Sequence, residues 1–236
     1  MSSFFPSSPI FLQSPDWSGK AGFGSGSPEW VKQVGLVDPD VVHLQGAVTQ
    51  VATSSPDPNL LATLPAAACP DRIVYTIVHT FDGTYADVAI SPGGQINLIN
   101  PRPPAVMDYS FVSLEGITYE QFLPVANPVP VNAPDWSGSA GFGSAAPAWY
   151  QDGNGFVHLQ GAAKQVATSG SNPNLLGTLP PAARPLHDVF TIVHTFNGTY
   201  ADLSIGTDGS ISVIGPRPPA VEDLQFVSLE GISYQQ

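Results

Sequence analysis

One short stretch of this chain occurs twice with a single change. It reads TIVHTFDGTYAD at Thr76–Asp87 and TIVHTFNGTYAD at Thr191–Asp202. The text around each copy recurs in the same order, with the words PDWSG, AGFG, VHLQGA, PRPPAV and FVSLEGI. The repeat restricts the fold to one module written twice. Each copy has about 110 residues, which is a common domain size and enough to bury a core of its own.

The repeat also sets the expected domain boundaries. We predict an N-terminal arm over residues 1–14, a first repeat over 15–120, a proline-rich linker over 121–133 and a second repeat over 134–236. The only substantial length difference lies where repeat 1 has VKQVGLVDPDV and repeat 2 has the shorter YQDGNGF. Such a gap is typical of a surface hairpin tip.

Composition narrows the fold class to β-structure. The chain contains 23 glycines and 25 prolines, and only 11% of its residues are charged. This mixture disfavours helices and suits short strands joined by tight turns, while a hydrophobic fraction of 42% argues against disorder. We therefore predict an all-β protein made of two tandem antiparallel β-sandwich domains of jelly-roll-like form.

Alternating apolar and polar residues predict the main strands of each repeat. Asp82-Gly83 and Asn197-Gly198 are two-residue hairpin signals between the first two of them. The predicted strands of repeat 1 are Val74–Thr80, Tyr85–Ile90, Gln95–Ile99 and Phe111–Tyr119, and those of repeat 2 are Phe190–Thr195, Tyr200–Ile205, Ser210–Ile214 and Phe226–Tyr234.

Charge and cysteine content restrict the expected partners. Seven basic residues and a formal net charge of −12 cannot form the cationic face that nucleic acid requires, and they disfavour an anionic membrane surface. The one cysteine, Cys69, permits neither an intramolecular disulfide nor a four-thiolate metal site. We expect no signal peptide and no membrane-spanning helix, hence a cytoplasmic protein or one released by a non-classical route.

Several motifs of each repeat resemble a known family. They are a V-x-L-x-G strand, an LP-x-x-x-RP loop, a G-x-I-x-V-like strand and a terminal vSLxGIsY strand, present at Val42–Gly46, Leu64–Pro70, Gly94–Leu98 and Val112–Tyr119 and again at Val157–Gly161, Leu179–Pro185, Gly209–Val213 and Val227–Tyr234. This text resembles the C-terminal β-sandwich modules of phage tail fibres and baseplate receptor-binding proteins. The resemblance implies a β-sandwich that trimerises and binds cell-surface saccharides. The chain departs from that pattern at Cys69, where arginine is expected, and in having no long shaft.

The return strand of each hairpin carries the leading candidate site. Because side chains alternate faces along a strand, Tyr85 and Asp87 share one face, and so do Tyr200 and Asp202. An aromatic ring can stack on the apolar face of a pyranose while a carboxylate accepts hydroxyl hydrogen bonds. This pairing predicts one sugar-binding site in each repeat.

Other repeated residues are candidate ligand contacts with structural alternatives. His79 and His194 lie on the preceding strand and would serve equally well as strand residues bonded to their neighbours. Trp17 and Trp136 lie in Gly/Ser/Pro-rich text and could be binding platforms or core plugs. Arg102 and Arg217 are the only basic residues retained in both copies, and each could face a ligand or pair with a nearby aspartate.

The repeated histidines and carboxylates also permit a metal site or a catalytic site. The pairs His43/His79 and His158/His194 could hold a metal with Asp87 or Asp202 as third ligand. The carboxylate pairs Asp87/Glu115 and Asp202/Glu230 could act on a glycosidic bond. No nucleophile elbow, HExxH motif or phosphate loop is present. We therefore predict a non-enzymatic carbohydrate-binding protein without cofactor or metal.

The predicted partners are cell-surface or soluble glycans, without nucleic acid or membrane insertion. A homo-oligomer, either dimer or trimer, is a further expectation. The alternatives are a structural tail-fibre or adhesin-like assembly module without a small ligand, and a glycoside hydrolase that uses the repeated carboxylates.

The hairpin signal in repeat 2 can be tested by substitution. If Gly198 occupies a turn position with positive φ, Gly198→Val should lower the free energy of unfolding by more than about 1 kcal/mol, because a β-branched residue resists that conformation. Chemical denaturation of both proteins measures the difference. An unchanged stability would contradict the tight turn.

Overall fold

The chain consists of two compact all-β units, Met1–Leu123 and Pro124–Gln236. The computed structural model describes residues 3–4, 6–34, 40–81, 84–99, 109–121, 126–196, 199–214 and 224–236. These residues contain antiparallel strands, short 3₁₀ turns at Ala66–Ala68 and Pro181–Ala183, and no α-helix. The prediction of an all-β fold built from two tandem antiparallel domains is confirmed.

The first unit contains strands β1 to β13. In chain order they are Ser3–Phe4, Ser8–Pro9, Phe11–Leu12, Trp17–Ser18, Glu29–Val34, Val41–Gln45, Ala47–Gln50, Leu60–Thr63, Val74–His79, Tyr85–Ile90, Gln95–Ile99, Val112–Ser113 and Thr118–Glu120. One sheet has the order β1-β5-β6-β13 with β2 also on β5, a second has β3-β8-β11-β10-β9, and a small third has β12-β7-β4.

The second unit contains strands β14 to β24. In chain order they are Asn127–Pro128, Trp136–Ser137, Ala148–Gln151, Phe156–Gln160, Ala162–Gln165, Leu175–Thr178, Val189–Thr195, Thr199–Ile205, Ser210–Val213, Val227–Ser228 and Ser233–Gln235. The strands form a four-stranded sheet, β14-β16-β17-β24, and a seven-stranded sheet, β15-β18-β23-β20-β21-β22-β19.

Each unit has its own hydrophobic core between its sheets. In the first unit Val42 and Leu44 of β6 pack in one buried cluster with Val88 and Ile90 of β10 and with Ile96 of β11. These residues alternate with less buried ones along β6 and β11, which is the period-two pattern that the sequence showed. The second unit repeats this arrangement with Val157, Leu159, Leu203, Ile205 and Ile211.

A pair of strands changes sheets together at a corner of each unit. The chain passes from β6 to β7 through Gly46, whose φ is +83°, and a Cβ there would lie 2.2 Å from the Ser27 carbonyl oxygen. Its partner passes from β12 to β13 through Glu115-Gly116, and a Glu115 carboxylate oxygen accepts the Gly46 amide hydrogen bond at 2.7 Å. The VHLQG and SLEG motifs are therefore two sides of one corner.

This corner corrects one predicted strand. The last strand was expected to run unbroken over Phe111–Tyr119, and over Phe226–Tyr234 in repeat 2. Instead a turn divides it into β12 and β13. β12 pairs with β7 and β13 pairs with β6, so the two halves belong to different sheets. β23 and β24 are divided in the same way.

The predicted arm and linker contribute strands to the two units. β1 and β2 pair with β5, and β3 pairs with β8, so residues of the 1–14 segment lie in two of the three sheets of the first unit. In the linker, β14 pairs with β16 and Val131 forms a bridge with Gly177. The predicted hairpin turns at Asp82-Gly83 and Asn197-Gly198 lie outside the described residues.

The linker strand gives a stability prediction. A fragment spanning residues 124–236 should unfold cooperatively, whereas one spanning 134–236 should be less stable by more than about 2 kcal/mol, because it loses the buried Val129 and several strand hydrogen bonds. Denaturant melts of the two fragments make the comparison. Equal midpoints would show that β14 adds nothing to the second unit.

Candidate functional site

The repeated tryptophans Trp17 and Trp136 lie in the core. Their side chains are only 4% and 2% exposed. The Trp17 indole Nε1 donates to the Pro58 carbonyl oxygen at 3.1 Å, and Trp136 Nε1 donates to the Pro173 carbonyl at 2.8 Å. Both indoles are thus packed and satisfied inside their units, in the arrangement of core plugs.

The aspartate before each tryptophan holds a loop in place. Asp16 is buried, and its carboxylate accepts hydrogen bonds from the backbone amides and hydroxyls of Ser54 and Ser55. The pKa of Asp16 lies below its ordinary value, chiefly because the Ser55 hydroxyl donates to the charged form, while burial acts in the opposite direction. Asp135 accepts the amides of Ser169 and Gly170 in the same way. The Pro-Asp-Trp text, whose Ser14–Pro15 and Ala133–Pro134 bonds are cis, is therefore structural.

The hairpin register brings the predicted tyrosine and histidine together. Tyr85 is directly opposite His79 on β9, with ring centroids 6.3 Å apart, and both side chains are exposed. In the second unit Tyr200 is opposite His194, but Tyr200 is half-buried and His194 is buried. The same pair of groups is thus presented more openly in repeat 1.

The two predicted carboxylates differ in exposure. Asp87 is fully buried, whereas Asp202 is half-buried. Tyr109 lies near Asp87. Burial, and to a lesser extent the charge of the Asp87 carboxylate, raises the pKa of the Tyr109 hydroxyl. Leu224 stands at the matching place in repeat 2 and has no hydroxyl group. Asp202 is therefore the more accessible of the two as a contact for a bound molecule.

An aromatic cluster joins three segments of repeat 1. Phe23, from the loop between β4 and β5, lies 5.3 Å from Phe81, which follows β9, and 5.7 Å from Phe111, which precedes β12. His79 contacts Phe111 at 6.0 Å and so connects this cluster to Tyr85. The cluster places several ring faces and edges on one surface.

The second unit builds the same cluster. Phe142 lies 5.1 Å from Phe196 and 6.0 Å from Phe226, and His194 lies 5.7 Å from Phe226. Each centroid separation is within the range of favourable aromatic pairs. We refer below to Phe23, His79, Phe81, Tyr85 and Phe111, and to their counterparts Phe142, His194, Phe196, Tyr200 and Phe226, as the aromatic clusters of repeats 1 and 2.

The exposed phenylalanine of each cluster has a strained backbone. Phe23 and Phe142 both have φ = +56°, and they are 72% and 53% exposed. The following residues Gly24 and Gly143 also have positive φ, as in a type I′ turn. A left-handed conformation costs a residue with a Cβ about 1–2 kcal/mol, so glycine would suit these positions better. Strain retained twice at an exposed aromatic residue marks a functional candidate.

Two hydrogen bonds close the turn that carries this phenylalanine. In repeat 1 the Ser25 amide and hydroxyl both donate to the Gly22 carbonyl oxygen, at 3.0 Å and 2.7 Å. In repeat 2 Ser144 makes the same two bonds to Gly141. Each turn is closed by its own residues, and the ring is held outward by the backbone itself.

Phe23 and Phe142 were absent from the residues predicted to bind. The available signal was the AGFG text, which is identical in the two copies and places a large aromatic residue between two glycines. Apolar residues of this size in a surface turn contribute nothing to local turn formation, so their repetition required another explanation.

The candidate arginines and glutamates have different outcomes. Arg102 and Arg217 lie outside the described residues. Glu115 and Glu230 each accept a backbone amide at the sheet corner, which gives them a structural task.

The histidine pairs do not form a ligand set. His43 lies on β6, in a different sheet from His79 on β9. Within the described residues no group of three or more His, Cys, Asp or Glu side chains is placed to hold a metal ion.

Comparison of the chain with protein-family models, curated proteins and solved structures finds no match. Among the described residues, no helix has the length and apolar character needed to span a membrane. The two aromatic clusters are therefore the features of the chain from which a function can be inferred.

The bonded Asp16 carboxylate predicts an acid-dependent stability. Its pKa in the folded state lies below that in the unfolded chain, about 3.9. Its contribution to the free energy of unfolding is complete above that pH and is lost as the pH falls through the folded-state pKa. Asp16→Asn should therefore be less stable than the parent at pH 7, and the difference should shrink below about pH 4.

Denaturant midpoints measured across this pH range test the prediction, with Asp57→Asn in the neighbouring exposed loop as the control. If the stability difference between the parent and Asp16→Asn stayed constant down to acid pH, the charge of Asp16 would not be the cause of its stabilising effect.

Proposed function

We propose that this chain is a carbohydrate-binding protein with one site in each repeat, centred on the aromatic cluster. The observation that carries the proposal is the duplicated left-handed turn that exposes Phe23 and Phe142 beside a packed group of rings. In both repeats this turn combines a positive φ with an exposed aromatic ring.

The chemistry of the cluster suits a sugar. The exposed ring offers an apolar face for the C–H groups of a pyranose, and the hydroxyl of Tyr85 or Tyr200 can exchange hydrogen bonds with sugar hydroxyls. Because sugar hydroxyls exchange water for protein at a small net gain, each site should bind weakly. Two sites in one chain raise the avidity for a surface that displays many copies of the glycan.

The charge of the chain favours a neutral saccharide. A net charge of −12 repels acidic sugars at long range. The resemblance to receptor-binding modules of phage tail fibres supports the same ligand class, and a trimer or dimer would increase the number of sites further. The rival function is an assembly module in which the same exposed rings contact another protein chain.

The proposal is tested with Phe23→Gly and Phe142→Gly. Glycine accepts the left-handed φ, so the substitutions should remove a ring and leave the fold intact. We expect the full-length protein to bind neutral glycans on an array and to show two sites per chain by calorimetry with a glycan so identified. Either variant should show one site, and the double variant none.

Phe23→Tyr and Phe142→Tyr, which keep the ring, are the matched controls and should retain both sites. Binding that survives the double glycine variant would place the site elsewhere. Absence of any bound glycan at high protein concentration would reject saccharide binding and favour the assembly function.

A further inference from the structure

A groove in the second unit adjoins its aromatic cluster. It has a volume of ≈ 310 Å³ and is lined by Phe190, Thr191, Ile192, Asp202, Leu203 and Ile214. Phe190 and Ile192 are 69% and 57% exposed, which is unusual for large apolar residues on a strand.

The groove combines a ring, aliphatic side chains and a carboxylate. Ile192 of β20 is directly opposite Asp202 of β21, and the Ile214 amide donates to the Asp202 carbonyl oxygen at 2.8 Å. Phe190 lies two residues along β20 and is therefore a diagonal neighbour of Asp202. A carboxylate has about four acceptor positions, so Asp202 can accept sugar hydroxyls in addition to its bonds within the protein.

The groove and the cluster are parts of one surface. Phe190, Ile192 and His194 alternate along β20 and so face the same side of the sheet, as do Tyr200 and Asp202 on β21. From Phe190 to His194 this surface extends for about 13 Å along the strand. A molecule seated on the cluster could therefore continue into the groove along the strand direction.

The corresponding surface of repeat 1 is less exposed. The residues that match Phe190, Ile192 and Ile214 are Tyr75, Ile77 and Ile99, which are all half-buried, and Asp87 is fully buried. The histidine–tyrosine pair differs in the opposite sense, since His79 and Tyr85 are exposed whereas His194 is buried and Tyr200 is half-buried. The two repeats thus have matching cluster residues and differ in which part of the surface is exposed.

We propose that the groove extends the site of repeat 2, so that repeat 2 binds consecutive units of a neutral oligosaccharide while repeat 1 binds a single terminal unit. This inference rests on the saccharide-binding function proposed above. The ring of Phe190 and the side chains of Ile192 and Ile214 contact the apolar faces of the added unit, and Asp202 accepts its hydroxyl hydrogen bonds. The same carboxylate disfavours a sugar acid in the groove.

The test uses full-length protein with one cluster disabled at a time. Phe23→Gly leaves the site of repeat 2, and Phe142→Gly leaves that of repeat 1. The probes are gluco-, manno-, galacto- and N-acetylgluco-oligosaccharides from the monosaccharide to the tetrasaccharide. We expect the Kd of the Phe23→Gly protein to fall about tenfold between the monosaccharide and the trisaccharide of the series that binds, and that of the Phe142→Gly protein to change by less than about twofold.

The groove is then tested with a matched pair of substitutions. Ile192→Ser in the Phe23→Gly protein should remove most of the gain with length, and Ile77→Ser in the Phe142→Gly protein should leave binding unchanged. Equal length dependence in the two repeats, or a gain that survives Ile192→Ser, would overturn this inference and leave the proposed function standing. If neither these probes nor any arrayed glycan binds the parent protein, both proposals fall.

Discussion

The fold depends on a single hydrogen-bonded corner in each repeat. In the first unit two chain segments, between β6 and β7 and between β12 and β13, cross there side by side between the β1-β5-β6-β13 sheet and the small β12-β7-β4 sheet, with Glu115 bonded to the Gly46 amide. The Leu114 amide returns a bond to the Gly46 carbonyl oxygen at 2.9 Å, so both backbone groups of this glycine are satisfied where the ladder is interrupted. The corner joins these two sheets through two neighbouring chain segments.

The same corner explains which parts of the fold the sequence could predict. The strands β9, β10 and β11 follow from local alternation, and their observed bounds agree closely with the predicted ones. The break between β12 and β13 was missed although the sequence carries a sign of it. The buried residues are Val112 and Leu114 before the turn and Ile117 and Tyr119 after it, so the alternation changes phase at Glu115-Gly116. That change of phase does not show that the corner contacts Gly46, which is distant in sequence.

The candidate site shows the same division between local and distant information. Strand alternation correctly placed Tyr85 with Asp87, and the register placed His79 beside Tyr85. It could not show that Asp87 is buried, since that depends on what packs over the sheet. Nor could it decide between core and platform for Trp17, whose burial depends on the chain returning at Pro58. The repeated AGFG turn is visible in the sequence, but its positive φ values are a property of the folded backbone.

The near-identity of the two hairpins has a consequence for how the chain reaches this structure. β9 and β20 carry nearly the same side chains, so β10 has two almost degenerate partners in the unfolded chain. Exchange of strands between similar neighbouring modules is a known failure of repeat proteins. Connection length favours the native choice, because a local hairpin closes within microseconds whereas a partner in the other copy requires a far longer loop. We therefore expect the nearer strand to pair first, so that loop length more than side-chain identity keeps the two copies separate during folding.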